Sequence, residues 1–190
     1  QPQAAAHKAL VQLRLFQDIK NKQQQIEDIL QQVMPKTLVT HPQQAQQPPV
    51  TIQTVIRQNA QQLEVFYRVD SQQRLDDCLA AVPVVKIAQN QAKGLWQHNC
   101  LEVFIANKNQ PAYIEFNGAS TQQSDVFVFS GERVNGQGIK TSEHILPTCA
   151  TQAQWQWFYM QTSNHQALAK FSLDLISVAE VIDTTQPIEY

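Results

Sequence analysis

Glycine is scarce in this chain. The 190 residues hold five, Gly94, Gly118, Gly131, Gly136 and Gly138, and their spacing makes no phosphate-cradling loop. Cysteine is scarce as well. Cys78, Cys100 and Cys149 are odd in number and lack framework spacing, which excludes a disulfide scaffold and suits reduced thiols. Charged residues are 16% of the chain, against a usual ~25%. The net charge is −2 and no run of Lys or Arg exceeds two residues, so no nucleic-acid partner is expected. No apolar run approaches the ~18 residues of a membrane span, so no membrane partner is expected either. No signal-like apolar segment follows Gln1. The thiols point to the cytoplasm, whereas a processed Gln1 would point to the periplasm.

What is present is glutamine and short apolar segments. There are 32 Gln, which supply the polar surface in place of charge. The length and the 43% hydrophobic content suffice for one domain with an extension. Residues 4–33 contain no Gly or Pro and read as one helix. Leu15, Ile19, Ile26, Ile29 and Val33 form a stripe on alternating four- and three-residue steps, broken by Lys22. The stripe is expected to pack on the rest of the chain or on a second copy of the helix. Pro35, Pro42, Pro48 and Pro49 then forbid regular helix over 35–49. From Val50 onward the chain alternates in short segments, at 50–56, 63–69, 84–88, 99–106, 111–117, 125–130, 154–161 and 167–173. Polar residues, Gly or Pro separate them. A helical turn fits Leu173–Glu180. This pattern predicts an all-β antiparallel sandwich at 37–190 behind a helical extension at 1–36.

The stretch 95–117 carries the most chemistry. As a strand, 99–106 puts Leu101, Val103 and Ile105 on one face. His98, Cys100, Glu102 and Phe104 fall on the other. The next strand opposes Ala112, Ile114 and Phe116 to Tyr113, Glu115 and Asn117. A four-residue loop at Asn107–Gln110 would pair Phe104 with Tyr113, Glu102 with Glu115 and Cys100 with Asn117. Two carboxylates directly opposite each other repel, so a cation, a shared proton or solvent must offset them. Polar groups with aromatics on one face compose a polar-ligand site.

These residues also resemble a known family. Gly94-Leu95-Trp96-Gln97-His98-Asn99-Cys100-Leu101-Glu102-Val103-Phe104, then Tyr113-Ile114-Glu115-Phe116-Asn117, is similar to the DOMON-like domains of bacterial proteins. Those are relatives of the family-nine carbohydrate-binding modules and of DOMON haem- and sugar-binding domains. Phe127, Phe129, Gly131 and Arg133 continue the register, and Thr40-His41-Pro42 fits its start. The resemblance covers about 37–190 and implies a jelly-roll-like sandwich with a ligand face. It also implies that the chain stops short of the family's last strand. Ser124 stands near where the family has a Trp, and Lys93 where it has an acid.

Other chemistries fit less well. Glu102 and Glu115 at ~5 Å would match a retaining glycosidase, but any cross-strand pair is that close. His98, Cys100 and Glu102 are zinc-ligand types. Successive same-face residues on a strand are ~6.5–7 Å apart, too far to converge on one ion. Haem is an alternative, since DOMON cytochromes use Met and His ligands. Only Met34, in the connector, and Met160, in an aromatic strand, are available. Cys100 beside His98 reads as a structural cysteine. Carbohydrate binding needs flat aromatic surface and planar polar groups. Trp96 and Tyr113, with Trp155 or Trp157, can supply the first, and Glu102, Glu115, Asn117 and Arg133 the second; Trp155 and Trp157 share a face and also read as core or as the wall of the site. With His98, the candidate ligand set is Trp96, His98, Glu102, Tyr113, Glu115, Asn117 and Arg133. The expected function is a non-catalytic ligand-binding module with carbohydrate the leading ligand and no resident cofactor. The alternative is a structural or protein-interaction module, with self-association through the helix.

Overall fold

The structure, a computed structural model, describes residues 2–38, 50–75, 95, 100–120, 123–129, 143–144, 153–159 and 165–189. The helix α1 spans Pro2–Gln32. The strands are β1 (Lys36–Thr37), β2 (Val50–Gln58), β3 (Gln62–Ser71), β4 (Cys100–Asn107), β5 (Tyr113–Ala119), β6 (Ser124–Phe129), β7 (Glu143–His144), β8 (Gln154–Tyr159), β9 (Gln166–Asp174) and β10 (Ile188–Glu189). A 3-10 turn at Leu175–Val178 follows β9, capped by the Asp174 carboxylate accepting the Ile176 N–H. The segment 84–88, expected as a strand, lies outside the described residues. Among the described residues no helix is long and apolar enough to cross a membrane.

The strands form two antiparallel sheets, each five-stranded among the described residues. Their orders are β1-β2-β3-β9-β8 and β10-β4-β5-β6-β7. Period-two alternation explains the core. Leu63, Val65, Tyr67 and Val69 of β3 and Ala167, Ala169, Phe171 and Leu173 of β9 face inward from the first sheet. Leu101, Val103 and Ile105 of β4, Ile114 and Phe116 of β5 and Val126 and Val128 of β6 meet them from the second. Phe116 lies against Phe171 at 5.1 Å between ring centroids. Trp155 and Trp157 belong to this inner core. Both therefore take the core place that sequence offered as one reading, and neither supplies the stacking surface offered as the other.

The helix is anchored by its last turns. Ile26 and Leu30 are buried with Val55, Phe66 and Leu168 on the outer face of the first sheet, and Ile29 and Phe158 pack beside them. The expected stripe is not buried as a whole: Leu15, Ile19 and Val33 remain exposed. Leu30, outside the stripe, takes a core place, because the docking face is one short arc of a helix whose apolar residues are spread around it.

The β4–β5 hairpin differs from expectation by two residues. The pairs are Cys100 with Ala119, Glu102 with Asn117, Phe104 with Glu115 and Ala106 with Tyr113. The turn closes at Asn107–Gln110 as expected, with the Gln110 N–H donating to the Asn107 carbonyl at 3.0 Å. Asn109 takes φ 64°, a left-handed conformation that Asn tolerates. Pro111 has no N–H to give a ladder, so pairing resumes only at Tyr113. A shift of two keeps every side chain on its predicted face.

Candidate functional site

The outward face of the second sheet carries the candidate residues. Register places them in three cross-strand rows over β4, β5 and β6. The first row is Glu102, Asn117 and Asp125. The second is Phe104, Glu115 and Phe127, and the third Ala106, Tyr113 and Phe129. Glu102, Tyr113, Glu115 and Asn117 therefore share one face. Trp96, His98 and Arg133 lie outside the described residues.

Glu102 and Glu115 are not directly opposite. Asn117 faces Glu102 and Phe104 faces Glu115, which leaves the two carboxylates on a diagonal, where same-face neighbours are ~7–8 Å apart. The direct repulsion expected from sequence is thereby relieved. The Asn117 Nδ2 also donates to Glu115 Oε1 at 2.9 Å.

Burial is the unexpected property. Glu115 and Asn117 are 0% exposed and Asp125 is 3% exposed, although they point away from the core. Glu102 is exposed, and so is Phe104. Asp125 Oδ1 accepts the Val126 N–H at 2.9 Å. The Asn117 Oδ1 is fully buried and has no hydrogen-bond partner among the described residues. At one end of the face Leu95 packs on Ala119, both buried.

Aromatic rings adjoin the polar rows. Tyr113 stacks on Phe129 at 4.6 Å and 16° between planes. Phe104 lies 6.1 Å from Tyr113, and Phe127 lies 6.4 Å from Phe129. The result is a ladder of four rings beside three carboxylate side chains and an amide. Beneath it, the inner face of β5 at Gly118 rests on the Trp155 indole.

Cys100 borders the first row. Its thiol is pushed up to about 12 by burial and then by the charges of Glu102 and Glu115, and it donates to Glu102 Oε1 at 3.8 Å. It is a structural donor and not a nucleophile at neutral pH. Asp125 was missed by sequence reasoning. Alternation in 125–130 gives its parity, but only the β5–β6 pairing puts it beside Asn117.

No protein-family model matches the chain, and no curated protein does. In shape the chain is similar to a proposed carbohydrate-binding protein from Bacteroides uniformis. The TM-score is 0.47 at 14% identity, over 77% of this chain and 61% of that one. The chain thus spans about three-fifths of that protein's length.

Proposed function

We propose that this chain is a non-catalytic binding module of DOMON-like, jelly-roll type that takes a carbohydrate on the outward face of its second sheet. One observation carries the reading. A fully buried Glu115–Asn117 pair, with an acceptor left open, sits beside an aromatic ladder on a face that would otherwise be solvent. Sugars need this combination: rings for the C–H face and planar polar groups for the hydroxyls. In this reading Tyr113 and Phe104 offer the apolar contact, and Glu102, Glu115 and Asn117 read hydroxyls. The 95–117 resemblance supports adding Trp96, His98 and Arg133. The test is a glycan array followed by titration calorimetry of any binder. Trp96→Ala abolishes binding and Glu102→Gln weakens it, with affinity nearer millimolar than micromolar. An array without a single binder refutes the proposal.

A second reading has its own observation. Leu10, Val11, Leu13, Leu15, Phe16 and Ile19 are all 40–64% exposed on α1. That favours pairing of this helix with a second copy. Sedimentation of the whole chain, against a Leu13→Glu variant, tests it.

A further inference from the structure

Asn117 is followed directly by Gly118. In an Asn–Gly pair the side-chain amide is unusually open to its own backbone, because glycine puts no Cβ beside the attacking nitrogen. The Gly118 nitrogen bonds to Asn117 Cγ, the Cγ–Nδ2 bond breaks, and Nδ2 leaves as ammonia with the Gly118 proton. A cyclic succinimide remains. Water opens it at either carbonyl, leaving aspartate or isoaspartate at position 117. Packing requires both members of this pair. A Cβ at Gly118 would run into the Trp155 indole, and the Asn117 Nδ2 donates to Glu115 Oε1 at 2.9 Å. The native strand also blocks the reaction. Extended backbone, with ψ of about +135°, turns the Gly118 nitrogen away from the Asn117 side chain. Rotation to close the ring is opposed by pairing on both sides, with Leu101 of β4 and Ser124 of β6. Asn117 is 0% exposed, and its amide nitrogen is tied to Glu115.

We infer that Asn117 is a deamidation site held closed by native β5, so that opening of this strand converts the face irreversibly. Aspartate at 117 replaces the amide donor to Glu115 by a second acid at a fully buried position, which costs stability. Isoaspartate lengthens the main chain by one atom and breaks the alternation on which the β4–β5–β6 rows depend. Neither product can rebuild the parent face. The working life of the module is therefore set by how often β5 opens, whatever ligand the face takes.

The test follows the full chain at pH 8, in buffer and in guanidinium strong enough to unfold it. Peptide mapping by mass spectrometry reads the exchange of amide for acid at Asn117. The second Asn–Gly pair, Asn135–Gly136, shows in the unfolded arm that the chemistry is running. In denaturant the two asparagines convert at rates within about threefold of each other. In buffer Asn117 converts at least tenfold more slowly than in denaturant, and intermediate guanidinium raises its rate in step with the unfolded fraction read by circular dichroism. The Asn117→Asp variant carries one product from the start, and it melts below the parent or does not fold. Conversion of Asn117 in buffer as fast as in denaturant overturns the closing role of β5. An Asn117 that stays intact in denaturant while Asn135 converts overturns the site itself. An Asn117→Asp chain with the parent's melting curve overturns the claimed loss of the face.

Discussion

Gly118→Ala tests how the core supports the site. A Cβ built on Gly118 comes within 2.5 Å of Cγ and Cε2 of Trp155. Trp155 Cδ2 lies closer still, and ordinary carbon contacts sit at about 3.5–4.0 Å, so the indole must recede by roughly 1.5 Å. It has little room to do so. Tyr67 stacks on it at 6.2 Å, and Phe171 lies 4.9 Å away on another side. Overpacking of this kind costs about 1–3 kcal/mol, and a pinned ring belongs at the upper end. Alanine also restricts the unfolded chain, which returns about 0.4–1 kcal/mol. The net expectation is a loss of about 2 kcal/mol. With a urea m-value of about 2 kcal/mol/M, the midpoint falls by about 1 M. Far-UV circular dichroism against urea reads this without relying on the tryptophans. Trp155→Phe frees space at the same spot, so the double variant should lose less than the sum of the singles by about 1 kcal/mol. A Gly118→Ala midpoint within ~0.25 M of the parent, or strict additivity with Trp155→Phe, would refute the packing of the indole on β5.

The anchoring of α1 makes a contrast. Leu30→Ala, in the buried cluster with Phe66 and Leu168, should cost about 2–4 kcal/mol. Leu15→Ala, on the exposed stretch, should stay within about 0.5 kcal/mol in dilute urea titrations; equal losses would mean that the anchor is misplaced. Cys100 should label slowly at pH 8 in a Cys78→Ser/Cys149→Ser background and quickly once unfolded, because burial pushes its thiol to about 12. The sign follows: the unfolded thiol ionises first, near pH 8.5, so stability falls as pH rises from there toward about 12. Cys100→Ala should remove the part of that fall below about pH 10, above which the buried Tyr67 hydroxyl, also raised by desolvation, adds its own, and an identical pH dependence in the variant would sink the assignment. Asn107→Ala breaks two bonds that clasp the end of β4 to the 183–186 turn, its Nδ2 to the Asp183 carbonyl at 2.8 Å and the Asp183 N–H to its Oδ1 at 2.7 Å. A loss of about 2–3 kcal/mol is expected, and a thermal melt unchanged within error would show the clasp to be idle.

Much of the fold was legible because alternation survives small errors. Val50–Ile56 and Leu63–Val69 read as strands from side-chain period alone and pair as β2 and β3. The hairpin register was off by two, yet Glu102, Glu115 and Asn117 still fell on one face, since an even slip preserves parity. Strands of two residues have no period to read, so β1, β7 and β10 left no signal. The helix was visible from the absence of Gly and Pro, but its docking arc was not. Which arc is buried depends on where Phe66 and Leu168 stand on the sheet, a long-range fact. Asp125 failed for the same reason: its row depends on where β6 resumes after the turn that closes at the Ala119 N–H and the Gln123 carbonyl.

The burial of Glu115 and Asn117 gains its meaning from the other side of the molecule. Both sheets have outward faces that are covered in part. On the first, the cover is a helix, and what it meets is apolar: Val55, Phe66 and Leu168 against Ile26 and Leu30. That is how a cover gains stability, since apolar area removed from water contributes about 25 cal/mol per Å². On the second, Glu115, Asn117 and Asp125 are buried beside Ala119 and Phe129, so polar side chains share the covered positions with apolar ones. Burying such groups costs stability unless each finds a partner. A face whose only task was packing would be built like the first. The three buried polar side chains of the second support the proposal that it receives a hydrogen-bonding molecule, with the Tyr113–Phe129 stack as its apolar wall.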